Sequence, residues 1–410
     1  MPAELYGVKA VDVHAKIKLL IDGLVNITDT TGEFLMTLED GRVIDTKGWN
    51  DWVSKSTVHR TVDLVNLQTT ISQTDVSQEW THGIGLLGLW QYYELTGDAE
   101  YLAIIENWFR DRFAAGGTTK NINTMAVFLT LAYVYERTQN ETYRPWLDSW
   151  AEWAYHDLPR TRHRGFQHIT YLEANKDQLW DDTLMMTVLP LAKIGRVLGR
   201  PHYVAEAQRQ FLLHVQYLCD RPTGLFFHGW EFTQDQEGSS TSTTGHNFAN
   251  ARWARGNSWV TMVIPEFLEL LEPDTNSANA DAIGLFLRDV LDAQCNALTK
   301  LQDPSGLWRT LLDVPVEEGS YLEASATAGF AYGMLKARRK RYWTGNTESA
   351  ISAVKAVLDN VDERGELLNT SFGTGMGHDL QHYKDIPVTS MPYGQAMAIM
   401  ALVEFLRQFM

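Results

Sequence analysis

Apolar residues recur along this chain at intervals of three and four, the spacing that lines one face of an α-helix. Twelve segments carry that period: 8–27, 78–96, 98–113, 122–139, 141–157, 178–197, 201–219, 253–272, 277–300, 321–338, 345–360 and 391–409. Some breaks are short and carry turn residues. Thr96-Gly97-Asp98 separates the second helix from the third, and Leu198-Gly199-Arg200-Pro201 the sixth from the seventh. Such breaks favour antiparallel helix hairpins. The longer breaks, 28–77, 114–121, 158–177, 220–252, 301–320 and 361–390, each lead into an even-numbered helix. Six hairpins joined by six longer loops predict an all-α fold, an (α/α)6 barrel, with residues 1–410 as one domain. The even helices then form the inner ring, and the long loops open on one face. Even helices are rich in small residues near their starts, as in GIGLLGLW at 83–90, EASATAGFAYG at 323–333 and YGQAMAIMAL at 393–402. Odd helices such as 201–219 and 277–300 carry more charge, as an outer ring should. Within 28–77, FLMTLEDGRVID predicts a small β-hairpin turning at Glu39-Asp40-Gly41.

Composition adjusts this picture in three places. A chain of 410 residues suggests two domains by default, but a helical toroid uses that length in one unit. The 14 tryptophans are unusual. Most are expected in the core and several in a cleft, where indole stacks on the C–H faces of sugar rings. The net charge of −16 argues against nucleic acid and against anionic membranes. A small anionic ligand would need a locally positive pocket. No apolar run approaches the roughly 18 residues of a membrane span. The start, MPAELYGVKAVD, lacks a basic stretch followed by an apolar one, so the cytoplasm is the expected compartment.

Several chemistries lack their pattern. Cys219 and Cys295 form no disulfide framework and no CxxC pair. His82, His168, His228 and His246 show no HxxxH or HxH spacing, so no metal site is expected. There is no GxSxG elbow, GxGxxG turn or P-loop, and no cofactor is expected.

Two stretches concentrate candidate chemistry. The first is HRGFQHITYLEANKDQLWDDTLMM at 163–186. Asp177 reads as an N-cap, with Asp182 in the early turns of the sixth helix. Asp181 is rotated about 100° from Asp182, so one carboxylate faces the interior and the other points aside. Both could merely complement the helix dipole, but Trp180, His168 and Tyr171 surround them. The second stretch runs from His228-Gly229-Trp230 to Trp253-Ala254-Arg255-Gly256-Asn257-Ser258-Trp259, where the eighth helix begins. Arg255 could grip a carboxylate bidentately, and Trp253 and Trp259 offer stacking faces. A lone histidine or arginine is more often structural; the combination is less ordinary.

With those residues in view, the chain resembles glycoside hydrolase family 105, the unsaturated rhamnogalacturonyl hydrolases, and the related unsaturated glucuronyl hydrolases of family 88. WDDTLMM, HGW and WARGNSW carry the resemblance in that order, joined by QEWTHGIGLLGLW, SGLWRTLLDVP and YLEASATAGFAYGM. It covers roughly residues 75–410. The resemblance implies an (α/α)6 catalytic domain acting on a small anionic oligosaccharide. Polysaccharide lyases leave a non-reducing uronate with a C4=C5 double bond, and enzymes of this family hydrate that bond. An Asp donates a proton to C4 and helps activate the water that attacks C5. Carried over, that Asp is Asp182. The substrate contacts carried over fall on His168, His228, Arg255, Trp253 and Trp259, and Trp180, Asn257 and Asn121 at the same helix starts are further substrate-binding candidates. The chain departs from the family twice. Ile169 follows His168 where Lys is common, and KNINTM at 120–125 stands where the family has a second Asp in a D-x-I-N motif.

An ordinary aspartic acid, with a pKa near 3.9, is a poor proton donor at neutral pH. Desolvation beside Trp180 raises it, and a helix N-terminus lowers it. Three alternatives compete with the hydratase. An inverting glycosidase would need a second carboxyl about 6.5–9.5 Å from Asp182, with Glu323 as candidate. A sugar epimerase and a non-catalytic sugar-binding relative would share the same fold. The oligomeric state is left open.

Overall fold

The computed structural model describes residues 3–27, 35–37, 43–45, 52, 59–63, 68–72, 78–233, 244–271 and 278–410. Its helices are α1 (Ala10–Val25), α2 (Trp80–Thr96), α3 (Ala99–Ala114), α4 (Val127–Thr138), α5 (Arg144–Glu152), α6 (Leu189–Val197), α7 (Pro201–Leu218), α8 (Ala254–Leu271), α9 (Ala278–Leu301), α10 (Ala324–Arg339), α11 (Glu348–Asp359), α12 (Leu380–Lys384) and α13 (Pro392–Leu406). All but the five-residue α12 fall on segments that the apolar period predicts.

Burial divides these helices into two sets. Helices α2, α4, α6, α8, α10 and α13 are buried on nearly every side. Each packs on the next, and α13 returns to α2, so their contacts form a closed cycle. The others bury a single stripe. In α1 the stripe is Val13, Ile17, Leu20, Ile21 and Leu24, the helical repeat that one-sided packing demands. Helix α1 lies on α13, α3 on α2, α5 on α4, α7 on α6, α9 on α8 and α11 on α10. Small residues set the spacing of the inner cycle. A Cβ on Gly333 of α10 would stand 2.2 Å from the Thr261 carbonyl oxygen of α8, so only glycine permits that approach.

Four local details depart from the periodicity. The sixth helix begins later than expected, because Gln178–Trp180 is a strand paired antiparallel with Gly229–Glu231. Asp177 is therefore not an N-cap. It lies outside the helix with φ 59°, its carboxylate accepting from Arg162 N at 2.9 Å. A π-helical turn, Leu184–Val188, precedes α6. Residues 121–126 are turns, so α4 starts at Val127. In the 28–77 region Leu35–Thr37 pairs antiparallel with Val43–Asp45, as a hairpin requires, while its turn at Glu39–Gly41 lies outside the described residues. Two further strands, His59–Asp63 and Gln68–Ser72, extend the pair into a four-stranded antiparallel sheet.

One end of the inner cycle is closed by charge. Glu266 of α8 accepts from Tyr332 and Lys336 of α10, and Lys336 also meets Glu269. Arg339 and Arg407 pair with Glu404 of α13. Both cysteines are free. No described helix is long and apolar enough to cross a membrane.

Candidate functional site

The starts of the inner helices meet at the other end. Gln78, before α2, donates to the Thr124 carbonyl before α4 (2.9 Å). Thr187, leading into α6, donates to the Ile122 carbonyl (3.0 Å). Trp80 at the start of α2 lies edge-on to Trp259 of α8 (5.9 Å) and against Tyr393 of α13 (4.6 Å). Ser371 N, before α13, donates to Glu323, the N-cap of α10 (3.0 Å). Helix N-termini carry partial positive charge, so their gathering favours an anionic guest on a protein of net charge −16.

Asp181 and Asp182 stand at this junction with different surroundings. The strand ladder runs one residue past Trp180, since Asp181 N donates to the His228 carbonyl (3.0 Å). That bond carries Asp182 to His228, whose Nε2 lies 3.3 Å from Asp182 Oδ2. The Asp182 side chain keeps 17% of its surface open, whereas Asp181 keeps 0%. Both Asp181 oxygens lack a hydrogen-bond donor among the described residues. The carboxyl packs on the backbone of Gly256, where an added Cβ would fall 2.3 Å from Oδ2. Burial, reinforced by the Asp182 charge, raises Asp181 well above the usual carboxylate range. Burial also works to raise Asp182, but the neighbouring His228, with a smaller contribution from Asp181, outweighs it and holds it below that range. Asp181, Asp182 and His228 offer three donor atoms within 4.8 Å, the one group among the described residues that could hold a cation.

Two histidines frame Asp182. His228 Nδ1 meets the Tyr383 hydroxyl at 2.7 Å. That hydroxyl also accepts from Gly377 N (3.1 Å) and lies 3.7 Å from Met376 Sδ, so it is fixed in place and holds the imidazole with Nε2 toward Asp182. His168 stacks on Trp180 at 4.1 Å and 7°, with Nδ1 2.8 Å from Thr183 Oγ1. Burial drives its pKa down to about 3, so His168 is neutral. Trp180 is fixed in turn, its Nε1 donating to Gln178 Oε1 (2.9 Å).

Other expected contacts belong to the frame. Arg255 is 2% exposed; its two terminal nitrogens donate to the carbonyls of Ser371 (2.6 Å) and Phe372 (2.9 Å), and it stacks on Trp253 and Tyr393. Its fork is thus committed to backbone rather than held open for a carboxylate. Asn257, fully buried, accepts from Phe226 N and donates to the Phe226 and Trp253 carbonyls. Trp259 is 0% exposed, which removes it as a stacking face. Trp253 is 2% exposed and packs on His228 at 4.4 Å, so it orients the imidazole instead of meeting a guest directly. Asn121 Oδ1 accepts from Asn123 N and Thr124 N, holding the turn before α4, while its Nδ2 is buried without a partner. Lys120 turns away to Ser149. Glu323 cannot serve as a second acid: Ser325 N, Ala326 N, Ser371 N and Ser325 Oγ all donate to its carboxylate.

A family model described as Glycosyl Hydrolase Family 88 matches residues 26–409. The chain belongs to glycosyl hydrolase family 88. An unsaturated rhamnogalacturonyl hydrolase of Bacillus subtilis, YesR, is 30% identical over 82% of this chain and 91% of its own length. A crystal structure of a possible family 105 member from Salmonella enterica is 54% identical, with a TM-score of 0.84 over 100% of this chain and 97% of that one. The unsaturated glucuronyl hydrolase of Bacillus sp. GL1 shares the fold at 18% identity and a TM-score of 0.65. The resemblance to family 105 beside family 88 therefore holds, and the chain is a glycosidase.

Sequence reasoning missed four groups around the candidate acid of this glycosidase. One carboxyl of the pair was expected to face the interior and the other to point aside; Asp181, given no role, is the more buried of the two. Thr183 and Tyr383 orient the two histidines. Tyr383 lies in 361–390, where no motif flags it. Glu79, the N-cap of α2, is buried, and burial raises its pKa to about 8. Its charge acts on Tyr171, in the loop after His168.

Proposed function

We propose that this glycosidase releases a 4,5-unsaturated uronate from the non-reducing end of lyase-generated oligosaccharides by hydrating the C4=C5 bond. Asp182 is the general acid and base, working in a single (α/α)6 catalytic domain. The closed cycle of inner helix contacts supports the barrel. One observation carries the chemistry: at the gathered helix starts, Asp182 is the partly open carboxylate, with His228 Nε2 3.3 Å from its Oδ2. The similarity to an unsaturated rhamnogalacturonyl hydrolase supports the substrate class.

The steps follow from this placement. Asp182 protonates C4, and the π pair of C4=C5 forms the new C–H bond. Positive charge develops at C5 and is shared with the ring oxygen. Water attacks C5 and gives a proton back to Asp182. The product is a hemiketal at C5, which opens and releases the neighbouring sugar. Such positioned proton transfer supplies roughly 10²–10⁴-fold in rate. Neutral His168 stacked on Trp180 offers an uncharged wall beside the reacting ring. With Arg255 committed to backbone carbonyls, the substrate carboxylate is met by helix N-termini and by the unpartnered Asn121 Nδ2.

The test is loss of the ultraviolet absorbance of the conjugated uronide over a panel of lyase-generated disaccharides. Wild type should consume the absorbance, and Asp182→Asn should bind the same disaccharide without turnover. Near-normal turnover by Asp182→Asn, or wild-type activity confined to saturated glycosides, refutes the reading.

A further inference from the structure

Asp181 has no role in the scheme above, and its surroundings are hard to explain as packing alone. The side chain is 0% exposed, neither oxygen has a well-formed hydrogen bond among the described residues, and only the nearby backbone N–H groups of Asp181 and Asp182 favour its charged form. A buried carboxylate with no donor and no cation is strongly disfavoured in its charged form. A second carboxylate in the same cluster disfavours it further. Apolar residues of similar size would fill the space without that cost. The chain nevertheless makes room for an acid here, since Gly256 keeps clear the volume into which any side chain would intrude.

The charged and titratable groups on every packed element point the same way. On its own element Asp181 faces Asp182. From the loop before Gly229 it faces His228, within the same 4.8 Å cluster. His168, stacked on Trp180, is neutral. Tyr383 approaches from α12 with its hydroxyl on His228. Arg255 of α8 is the neighbouring cation, and its terminal nitrogens are taken by the Ser371 and Phe372 carbonyls. Among the described residues no group supplies the positive charge that two ionised carboxylates would need.

We propose that Asp181 and Asp182 form an acid–carboxylate pair that shares one proton, with Asp181 storing the proton that Asp182 delivers to the substrate. The proposal rests on the hydration reading above. In the free enzyme the proton sits on Asp181 and Asp182 is ionised against His228. As the unsaturated uronate binds, the proton passes from the Asp181 oxygen to the Asp182 oxygen. Asp182 then gives it to C4, using the π pair of C4=C5 to make the C–H bond. Water adds to C5, and its released proton returns to Asp182 and then to Asp181. The sum is one water added across the double bond, with the pair restored. Asp181 never touches substrate; it sets the protonation of the residue that does. The pair lets a carboxylate that His228 keeps ionised still act as an acid near neutral pH.

The test combines kinetics with a measurement made without substrate. Asp181→Asn keeps the shape and removes the stored proton. Its kcat at neutral pH should fall at least about tenfold, with KM within about twofold of wild type. The alkaline limb of its kcat profile should move to lower pH. A packing role would leave that limb in place. In the infrared, the ligand-free protein at about pH 8, carrying Glu79→Gln so that this second buried carboxyl adds no band, should show the carbonyl stretch of a protonated carboxyl, far above the ordinary aspartic range. The band should survive in Asp182→Asn and vanish in Asp181→Asn. Absence of the band in the Glu79→Gln background overturns the proposal. So does an unchanged kcat profile in a folded Asp181→Asn. Activity lost to a chelator and restored by a divalent cation would overturn it too, by making the cluster a metal site. Inactivity of wild type on the whole disaccharide panel refutes the hydration reading instead, while the infrared band still decides who holds the proton.

Discussion

Replacing Gly256 by alanine tests the carboxyl geometry without touching a carboxyl. The added Cβ would stand 2.3 Å from Asp181 Oδ2, 2.7 Å from Oδ1 and 2.8 Å from Cγ. Ordinary contact begins near 3.4 Å, so the Asp181 carboxyl must retreat by about 1.1 Å (3.4 less 2.3). Asp182 follows it on the same backbone, and a misplacement of about 1 Å at a reacting group costs on the order of 10²-fold in rate. Stability should suffer far less. Overpacking costs about 1–3 kcal/mol. Unfolding entropy of about 2.1 cal/mol/K per residue amounts to about 0.9 kcal/mol/K over this length, so Tm should drop by only about 1–3 °C. The assay is kcat by absorbance loss beside a thermal melt. Gly284→Ala in α9 serves as the control, because a Cβ there meets nothing within 4 Å. That change should leave kcat alone and stabilise by about 0.5–1 kcal/mol. A Gly256→Ala protein with kcat within about threefold of wild type would refute the claim that this glycine positions the acid.

Three further outcomes follow from the frame around the site. Glu323→Gln turns an acceptor toward backbone N–H groups into a donor. It should lower stability by about 1–3 kcal/mol in denaturant melts, and its effect on kcat should stay well short of that of Asp182→Asn. Arg255→Lys cannot span both carbonyls and stack as well. It should lose about 2–3 kcal/mol of stability and weaken charged and neutral substrate analogues equally; a KM effect confined to the charged analogue would return Arg255 to carboxylate recognition. Glu79 is raised in the folded state to about 8 from an ordinary 4.5. The unfolded chain therefore releases that proton first, and stability declines as pH rises from about 4.5 to 8, by at most about 5 kcal/mol (3.5 units at 1.36 kcal/mol each). Glu79→Gln should flatten that part of the stability curve, and an unchanged slope would remove Glu79 as its source.

The helices were legible because their information is periodic. One-sided stripes mark the outer set, and all-round apolar character with glycines marks the inner set. Residues 178–182 were misread in part because strand and helix start share the run QLWDD. Its two apolar residues, Leu179 and Trp180, suit either structure, and the pairing with Gly229–Glu231 that decides between them lies about fifty residues away. Motifs located the right neighbourhood but not each side chain's task. WARGNSW suggests a binding surface, whereas Arg255, Asn257 and Trp259 spend their polar groups and area on backbone and core. Which hydrogen bonds an arginine makes depends on carbonyls 116 and 117 residues distant, as with Ser371 and Phe372. Nothing local encodes that.

The separation of Asp181 from Asp182 shows how one residue of offset becomes a chemical difference. The antiparallel ladder Gln178–Trp180 against Gly229–Glu231 ends with Asp181 N bonded to the His228 carbonyl. Backbone hydrogen bonds, and not helix packing, therefore fix the distance between the acid and the histidine. The strand stops at Trp180, and the turn into the helix at Asp181 and Asp182 sends the two neighbouring carboxyls to different partners within one cluster. One carboxyl turns toward Gly256 and finds no donor; the other turns toward His228 and keeps an open edge. Had both met the same surroundings, their charges would have repelled and neither would have had a settled state. Placed as they are, burial pushes the first toward its protonated form and the histidine draws the second toward its ionised form. Under the proposed hydration, the site gives and takes one proton in each turnover, and that standing difference between two neighbouring groups is what such a cycle needs.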